Sequence, residues 1–282
     1  MSLVTLEEIM KVHDGAVGAF STYDLFTAQG IISAAEETNL PVIAMIGAPI
    51  LNKPGNEYIG EIMVSLAKRS SANVCVFLDH AKDYGTCLKA MKLGFSAVMI
   101  DGSHLSIEKN IEITNKVAEV AHSLGVSVEA EVGALAGLED GEEVKIAKMA
   151  STEDVAQFLS GAKVEALAVS IGNAHGLYKG EPKLDFDLLQ RINEIATVPL
   201  VLHGGTGLTQ EQFALGVKLG IKKINIGTEV RRTFVEAAQK THEKNIDAWD
   251  LAEMSQASKN AVTGMVRENL KFFAYNWKEL CK

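Results

Sequence analysis

Three histidines of this 282-residue chain each close an apolar run. His80 ends Val74-Cys-Val-Phe-Leu-Asp79-His80, His175 ends Ala166-Leu-Ala-Val-Ser-Ile-Gly-Asn-Ala-His175, and His203 follows Pro199-Leu-Val-Leu. Imidazoles at matching places on separate strands converge when those strands lie side by side. Three neutral imidazoles with a fourth position open are the donor set of a catalytic zinc, at Zn–N distances of about 2.0–2.1 Å. Cobalt, manganese or iron would accept the same nitrogens, so zinc rests on ligand type alone. Asp79 directly precedes His80, and neighbours on a strand face opposite sides. The two share one site only if the strand bends at its end. With the bend, Asp79 is a general acid/base beside the metal; without it, Asp79 caps the next helix or orients a ligand. The other histidines, His13, His104, His122 and His242, fall in helices or loops.

A second chemistry is carried by glycine. His203-Gly-Gly-Thr-Gly207 and Asn225-Ile-Gly-Thr-Glu229 each follow an apolar run and precede a helical stretch. Glycine lets backbone N–H groups approach an anion closely, and a helix N-terminus attracts it. Both stretches therefore read as a phosphate cradle. Lys179, in His175-Gly-Leu-Tyr-Lys-Gly180, is a counter-charge for that phosphate or a solvated loop lysine.

Stepping from these residues to what must hold them, eight short apolar runs recur: 15–20, 41–46, 74–80, 97–102, 127–133, 166–172, 200–203 and 223–228. Stretches of helical period predict helices over 24–37, 56–69, 84–93, 106–124, 152–159, 186–195, 210–219 and 230–240, with Ser106 as an N-cap. Strands alternating with helices pair in parallel, and continuously apolar strands are buried on both faces. Eight repeats in 282 residues suit a closed (β/α)8 barrel of about 250 residues. An open doubly wound sheet is the alternative, weakened by the lack of GxGxxG after the first run. Residues 1–282 read as one catalytic domain, with 252–282 as a helical extension. Residues 134–148, acidic and aperiodic, read as a long mobile loop and lid.

Composition narrows the class. Apolar residues at 47% supply a large core, and a net charge of −9 argues against a nucleic-acid surface, which needs a basic stripe. Cys75, Cys87 and Cys281 form no CxxC pair or disulfide framework, which suits the reducing cytoplasm. The start, Met-Ser-Leu-Val-Thr-Leu-Glu-Glu-Ile-Met, is acidic and helical rather than a signal peptide. No apolar run approaches the roughly 20 residues that cross a membrane.

Read together, the motifs resemble the class II, metal-dependent ketose-bisphosphate aldolases. The resemblance rests on Leu78-Asp-His80, Val98-Met-Ile-Asp-Gly-Ser-His104, Val128-Glu-Ala-Glu-Val-Gly133, Ala174-His-Gly-Leu-Tyr-Lys-Gly-Glu-Pro-Lys-Leu-Asp-Phe186, Leu202-His-Gly-Gly-Thr-Gly207 and Lys223-Ile-Asn-Ile-Gly-Thr-Glu229. It implies a TIM barrel with one Zn2+ per subunit on His80, His175 and His203, and Asp79 as acid/base. It further implies Asp101 and Glu131 as carboxylates that orient the ligands or bind the metal alternatively. The dihydroxyacetone phosphate half would lie against Gly176, Lys179, Gly204, Gly205, Thr206, Asn225, Ile226, Gly227 and Thr228. A monovalent cation would sit near the Gly176 and Gly204 backbone, Glu139 would be a loop acid serving C3, and the assembly would be a homodimer or homotetramer. The substrate is then a phosphorylated ketose. Fructose-selective members tend to carry Asp where this chain has Gly227, which leans the reading toward tagatose 1,6-bisphosphate. Fructose 1,6-bisphosphate and a ketose 1-phosphate without a distal phosphate come next. The run Ala44-Met-Ile-Gly-Ala48 lacks the hydroxyl that often serves the distal phosphate, for which Arg231, Arg232 or Arg267, from this chain or from a neighbouring subunit, could substitute. Ser21 stands where members usually have Asn. A metal-dependent hydrolase is disfavoured because the first run lacks a His-x-His pair. A non-catalytic phosphosugar-binding protein is disfavoured by the intact His80, His175, His203 and Asp79.

Overall fold

The structure is a computed structural model that describes residues 2–12, 14–139, 142–144, 148–176, 178, 180–244 and 246–281; the side chains of 136, 138, 139 and 142–144 lie outside that description. The strands in chain order are β1 (Val17–Ser21), β2 (Val42–Gly47), β3 (Val74–Ala81), β4 (Ala97–Ile100), β5 (Ser127–Val132), β6 (Ala136–Glu139), β7 (Glu142–Val144), β8 (Ala166–Val169), β9 (Ala174–His175), β10 (Leu200–Leu202) and β11 (Ile221–Ile226). Eight of them close a barrel in the order β1-β11-β10-β8-β5-β4-β3-β2. β1 pairs in parallel with both β2 and β11, which decides against the open sheet.

The helices are α1 (Leu6–Ile9), α2 (Leu25–Thr38), α3 (Ala48–Leu51), α4 (Glu57–Arg69), α5 (Tyr84–Leu93), α6 (Ile107–Ser123), α7 (Thr152–Gly161), α8 (Phe186–Ile195), α9 (Gln210–Lys218), α10 (Thr228–Lys244) and α11 (Leu251–Ala274). Short polar side chains start them. Asp24, Asp83, Ser106, Ser151, Asp185 and Thr209 each accept from the backbone N–H three residues on, a cap worth about 1 kcal/mol. Gly94 ends α5 at φ +90, a backbone region that favours glycine. The C-terminal extension is tied in by Phe273. Its ring is fully buried at 5.1 Å from Phe213, and its carbonyl accepts from Ala16 N at 2.9 Å.

Strand alternation sorts the barrel into two chemistries. Cys75 and Phe77 of β3 point inward and pack with Ile43, Met45 and Met99. Leu6 and Ile9 of α1, both fully buried, join this cluster, so the short N-terminal helix plugs one end of the barrel. Val76 and Leu78 point outward into the layer between sheet and helices. Burial of each such side chain contributes roughly 1.5–3 kcal/mol. Continuing the inward alternation past Phe77 reaches Asp79; on β5 it reaches Glu129 and Glu131, and on β11 Lys223 and Asn225. The inward row thus changes from apolar to charged toward the C-terminal ends of the strands, where barrels of this kind hold their sites.

Two expectations are corrected here. The segment after β5 is not a structureless loop: β6 and β7 pair as an antiparallel hairpin, with Glu139 opposite Glu142. Nor does His175 finish a barrel strand. β8 stops at Val169, and His175 lies on β9, which pairs in parallel with β6 in a separate three-stranded sheet of order β7-β6-β9.

A candidate metal centre between two pockets

The bend needed at the end of β3 is present. The register with β4 shifts between Leu78 and Ala81, and His80 takes φ +49. A non-glycine residue held there costs about 1–3 kcal/mol. The bulge re-aims the strand end, so Asp79 and the next residue both reach the mouth. Asp79 is 2% exposed and its Oδ1 accepts from Asn225 Nδ2 at 3.3 Å.

The three histidines meet. The rings of His80 and His175 lie 4.9 Å apart, those of His80 and His203 4.7 Å, and those of His175 and His203 6.2 Å. One nitrogen from each falls within 4.8 Å of the others. Their remaining nitrogens explain why. His203 Nε2 is 2.9 Å from Glu129 Oε1, and His80 Nδ1 is 3.0 Å from Asp101 Oδ2. Each imidazole therefore donates its N–H to a carboxylate and turns a lone pair toward the other ring. Those facing nitrogens, His203 Nδ1 and His80 Nε2, stand only 2.8 Å apart. Two lone pairs at that distance repel unless a cation or a shared proton lies between them. The donor set fits a divalent metal, with carboxylate-held histidines as its ligands. A second grouping, His80, Asp101 and Glu131, lies on the other face of His80, with Glu131 Oε2 3.9 Å from His80 Nδ1.

The electrostatics favour this assignment. Burial pushes His203 below the ordinary imidazole value, against the opposing pull of Glu129, which keeps the ring neutral and able to ligate. Burial also pushes Asp101 up, but the hydrogen bonds from His80 and Ser103 hold its carboxyl well below the usual range. Glu129 is displaced upward by burial too, yet the Lys223 ammonium and His203 bring it below its ordinary value. Lys223 Nζ is 3.0 Å from Glu129 Oε1, both side chains are 0% exposed, and the ammonium lies over the Phe77 ring at 4.1 Å. Sequence reasoning passed over this pair. The available signal was a charge two residues from another polar side chain on an apolar strand, Glu129 with Glu131 and Lys223 with Asn225, which puts both in the barrel interior.

Two pockets meet at His175, which lines both. The cradle contains Gly176, Gly204, Thr206, Asn225, Gly227 and Thr228 of the expected set, together with Tyr23 and Arg231. α10 begins at Thr228 and presents its N-terminus there, and Arg231 Nη2 donates to Thr228 Oγ1 at 3.1 Å. A helix start and a guanidinium suit an anion. Gly205 and Ile226 do not line the cradle: Gly205 N donates to Asn225 O at 3.0 Å, and Ile226 packs in the outer core layer. Lys179 lies outside the described residues, as does the side chain of Glu139. Tyr178, missed from sequence, pins the cradle to β9: its hydroxyl accepts from Ala174 N at 3.0 Å and donates to Gly204 O at 2.9 Å.

The other pocket, of about 190 Å³, opens under the ends of β2, β3 and β4 and includes Asp79, His80, Asp101 and Glu131. None of the arginines expected to serve a distal phosphate lines it. Arg231 is in the cradle, Arg232 sits 3.5 Å from Glu236, and Arg267 pairs with Glu37 at 3.3 Å on the outer surface.

Residues 2–277 match the family model described as "Fructose-bisphosphate aldolase class-II". The chain is 39% identical to a sulfofructosephosphate aldolase of Alkalicoccus urumqiensis, covering 91% of this chain and 90% of that one. It is 35% identical to a 6-phospho-5-dehydro-2-deoxy-D-gluconate aldolase of Halalkalibacterium halodurans, covering 99% and 98%. Among solved structures, the YdjI aldolase of Escherichia coli K12 superposes with a TM-score of 0.84 at 29% identity, over 96% of this chain and 97% of that one. No described helix is long and apolar enough to cross a membrane.

Proposed function

The chain belongs to the class-II fructose-bisphosphate aldolase family, and from that premise we propose that it cleaves a ketose 1-phosphate to dihydroxyacetone phosphate and an aldehyde with zinc held by His80, His175 and His203. That it is a class II aldolase acting on phosphorylated ketoses follows from the family. The ligand assignment is carried by one observation: two ring nitrogens facing each other at 2.8 Å while the opposite nitrogens are held by Glu129 and Asp101.

Zinc in this position would supply a Lewis acid for the negative charge that develops when the C3–C4 bond breaks, worth several kcal/mol. The chain's own groups do the rest. Asp79, held by Asn225, takes the C4 hydroxyl proton. The start of α10, Thr206 and Arg231 bind the 1-phosphate and fix the reacting carbons over the histidines. Asp101 and Glu131 hold the ligand rings or offer the metal a second position. Glu139, on the hairpin beside the pocket, is the acid proposed for C3. A monovalent cation at the Gly176 and Gly204 backbone would further neutralise the phosphate.

The leading substrate is tagatose 1,6-bisphosphate. Gly227, where fructose-selective members tend to carry Asp, supports this; a Cβ there would meet the Ser21 hydroxyl at 2.9 Å. Fructose 1,6-bisphosphate is the next candidate. The relative named for sulfofructosephosphate supports a reading in which the far end is not a phosphate. Assembly as a homodimer or homotetramer is supported by Val235, Ile246, Trp249 and Leu251, which are 62–77% exposed around the α10–α11 connection. A cytoplasmic setting is supported by the free thiols of Cys75, Cys87 and Cys281.

A panel of ketose phosphates assayed for dihydroxyacetone phosphate release, with Zn2+ present and after chelation, tests the proposal. Cleavage that disappears on chelation and returns with Zn2+ is expected. Full activity without metal would refute the zinc assignment, and tight phosphosugar binding with no product under any metal would point to a binding protein instead.

A further inference from the structure

We propose that Lys82, which lines one pocket with Ser103 and His104, forms a subsite for an anionic group at the end of the ketose remote from its 1-phosphate. The inference rests on the substrate class proposed above and specifies its other end. The two pockets share His175, so a ketose with its phosphate in the cradle lays its middle carbons over the histidines. Its remaining carbons then enter the pocket under β2, β3 and β4. At about 190 Å³ this pocket exceeds the roughly 150 Å³ that takes a benzene ring, which leaves space for a three-carbon fragment and a charged head.

The walls of that pocket are unequal. Asp79, Asp101 and Glu131 stand on the side of the histidines, whereas Gly47, Pro49, Ala134 and Leu135 are uncharged. Among the described residues, Lys82 is the one lysine or arginine that lines it. It lies directly after β3, three positions beyond Asp79. Ser103 and His104 supply further polar groups on the same pocket wall, and Ser103 N is fixed on Asp101 Oδ1 at 3.0 Å. A lysine is a point charge on a flexible stem, suited to a phosphate, a sulfonate or a carboxylate alike. The structural alternative is that Lys82 only offsets the pocket's own carboxylates.

The test uses the full chain loaded with Zn2+ and four ketose 1-phosphates that differ at the far carbon: phosphate, sulfonate, carboxylate and neutral hydroxyl. Wild type should prefer at least one anionic end over the hydroxyl by kcat/KM. In Lys82→Met that preference should fall about 10–100-fold, mostly through KM, and Lys82→Arg should restore part of it. The order among the three anions identifies the group bound. Equal use of all four ends by wild type, or an unchanged preference in Lys82→Met, would overturn the subsite while leaving the aldolase reading intact. A uniform loss on all four would assign Lys82 to charge balance and also overturn it. Inactivity on all four with metal bound would remove the substrate class and this inference together.

Discussion

The cradle and the pocket on either side of His175 are made of different material. The cradle is largely backbone, glycines and a helix start; the pocket is largely side chains at and beyond the C-terminal ends of β2, β3, β4 and β5. A Cβ on Gly204 would fall 2.1 Å from the Ala174 carbonyl, at a residue whose φ is +64, so the shape there is set by chain packing. At the pocket, Pro49, Lys82, Ser103 and His104 can change while the strands beneath stay in place. In the proposed placement the reacting half of a substrate is read by the fold and the other half by exchangeable side chains. One scaffold can then keep a single chemistry while its substrates vary.

That contrast can be broken in graded steps. The largest effect belongs between the pockets. Asp79→Ala should lower kcat about 10²–10⁴-fold with zinc content unchanged by metal analysis, since it removes no ligand. Next is the buried pair beneath. Lys223→Met strands Glu129 without its cation and should cost about 3–5 kcal/mol in denaturant unfolding, and by loosening His203 it should weaken zinc binding roughly 10–100-fold. The sign of its pH dependence follows from Glu129, whose folded value lies below the unfolded one. Wild type holds this stabilisation above the unfolded carboxylate value and loses it as pH falls, so wild type and Lys223→Met should converge in stability on acidification. The direct comparison pairs Gly204→Ala with Ser103→Ala. The first should lower Tm and raise KM for every 1-phosphate; the second should shift stability within about 0.5 kcal/mol, and equal damage by both would erase the distinction. The smallest effect concerns thiols. Burial pushes Cys75 and Cys87 up to about 12, so native protein should show one reactive cysteine, the half-buried Cys281, and three after unfolding.

Much of this was legible because period and position carry it. Apolar runs of strand length between helical stretches specify a parallel barrel, and residues closing such runs must gather at its mouth. Asp79 and His80 could be paired in advance only on condition of a bend, and the bulge supplies it. The hairpin was missed although Asp140-Gly141, a common hairpin signal, stands between the paired Glu139 and Glu142; acidity obscured two short runs. Glu129 and Lys223 were hidden because a buried charge is intelligible only with its partner, 94 positions away. Within one chain the arginines stand away from the pocket under β2, β3 and β4, since which helix face meets solvent is decided by packing; an arginine supplied by a neighbouring subunit is a matter of assembly, which one chain does not display.

The pairing of β9 with β6 has a consequence for exchange rates. His175 is paired with Gly137 of the hairpin, and Gly137, with Leu135 just before the hairpin, also walls the pocket. If His175 is a ligand as proposed, a hairpin that swung aside to admit a sugar would withdraw that ligand's backbone support, and a sugar that held the hairpin down would keep it seated. Access and retention share a joint, so metal should escape fastest from an enzyme at rest and slowest from one that is saturated.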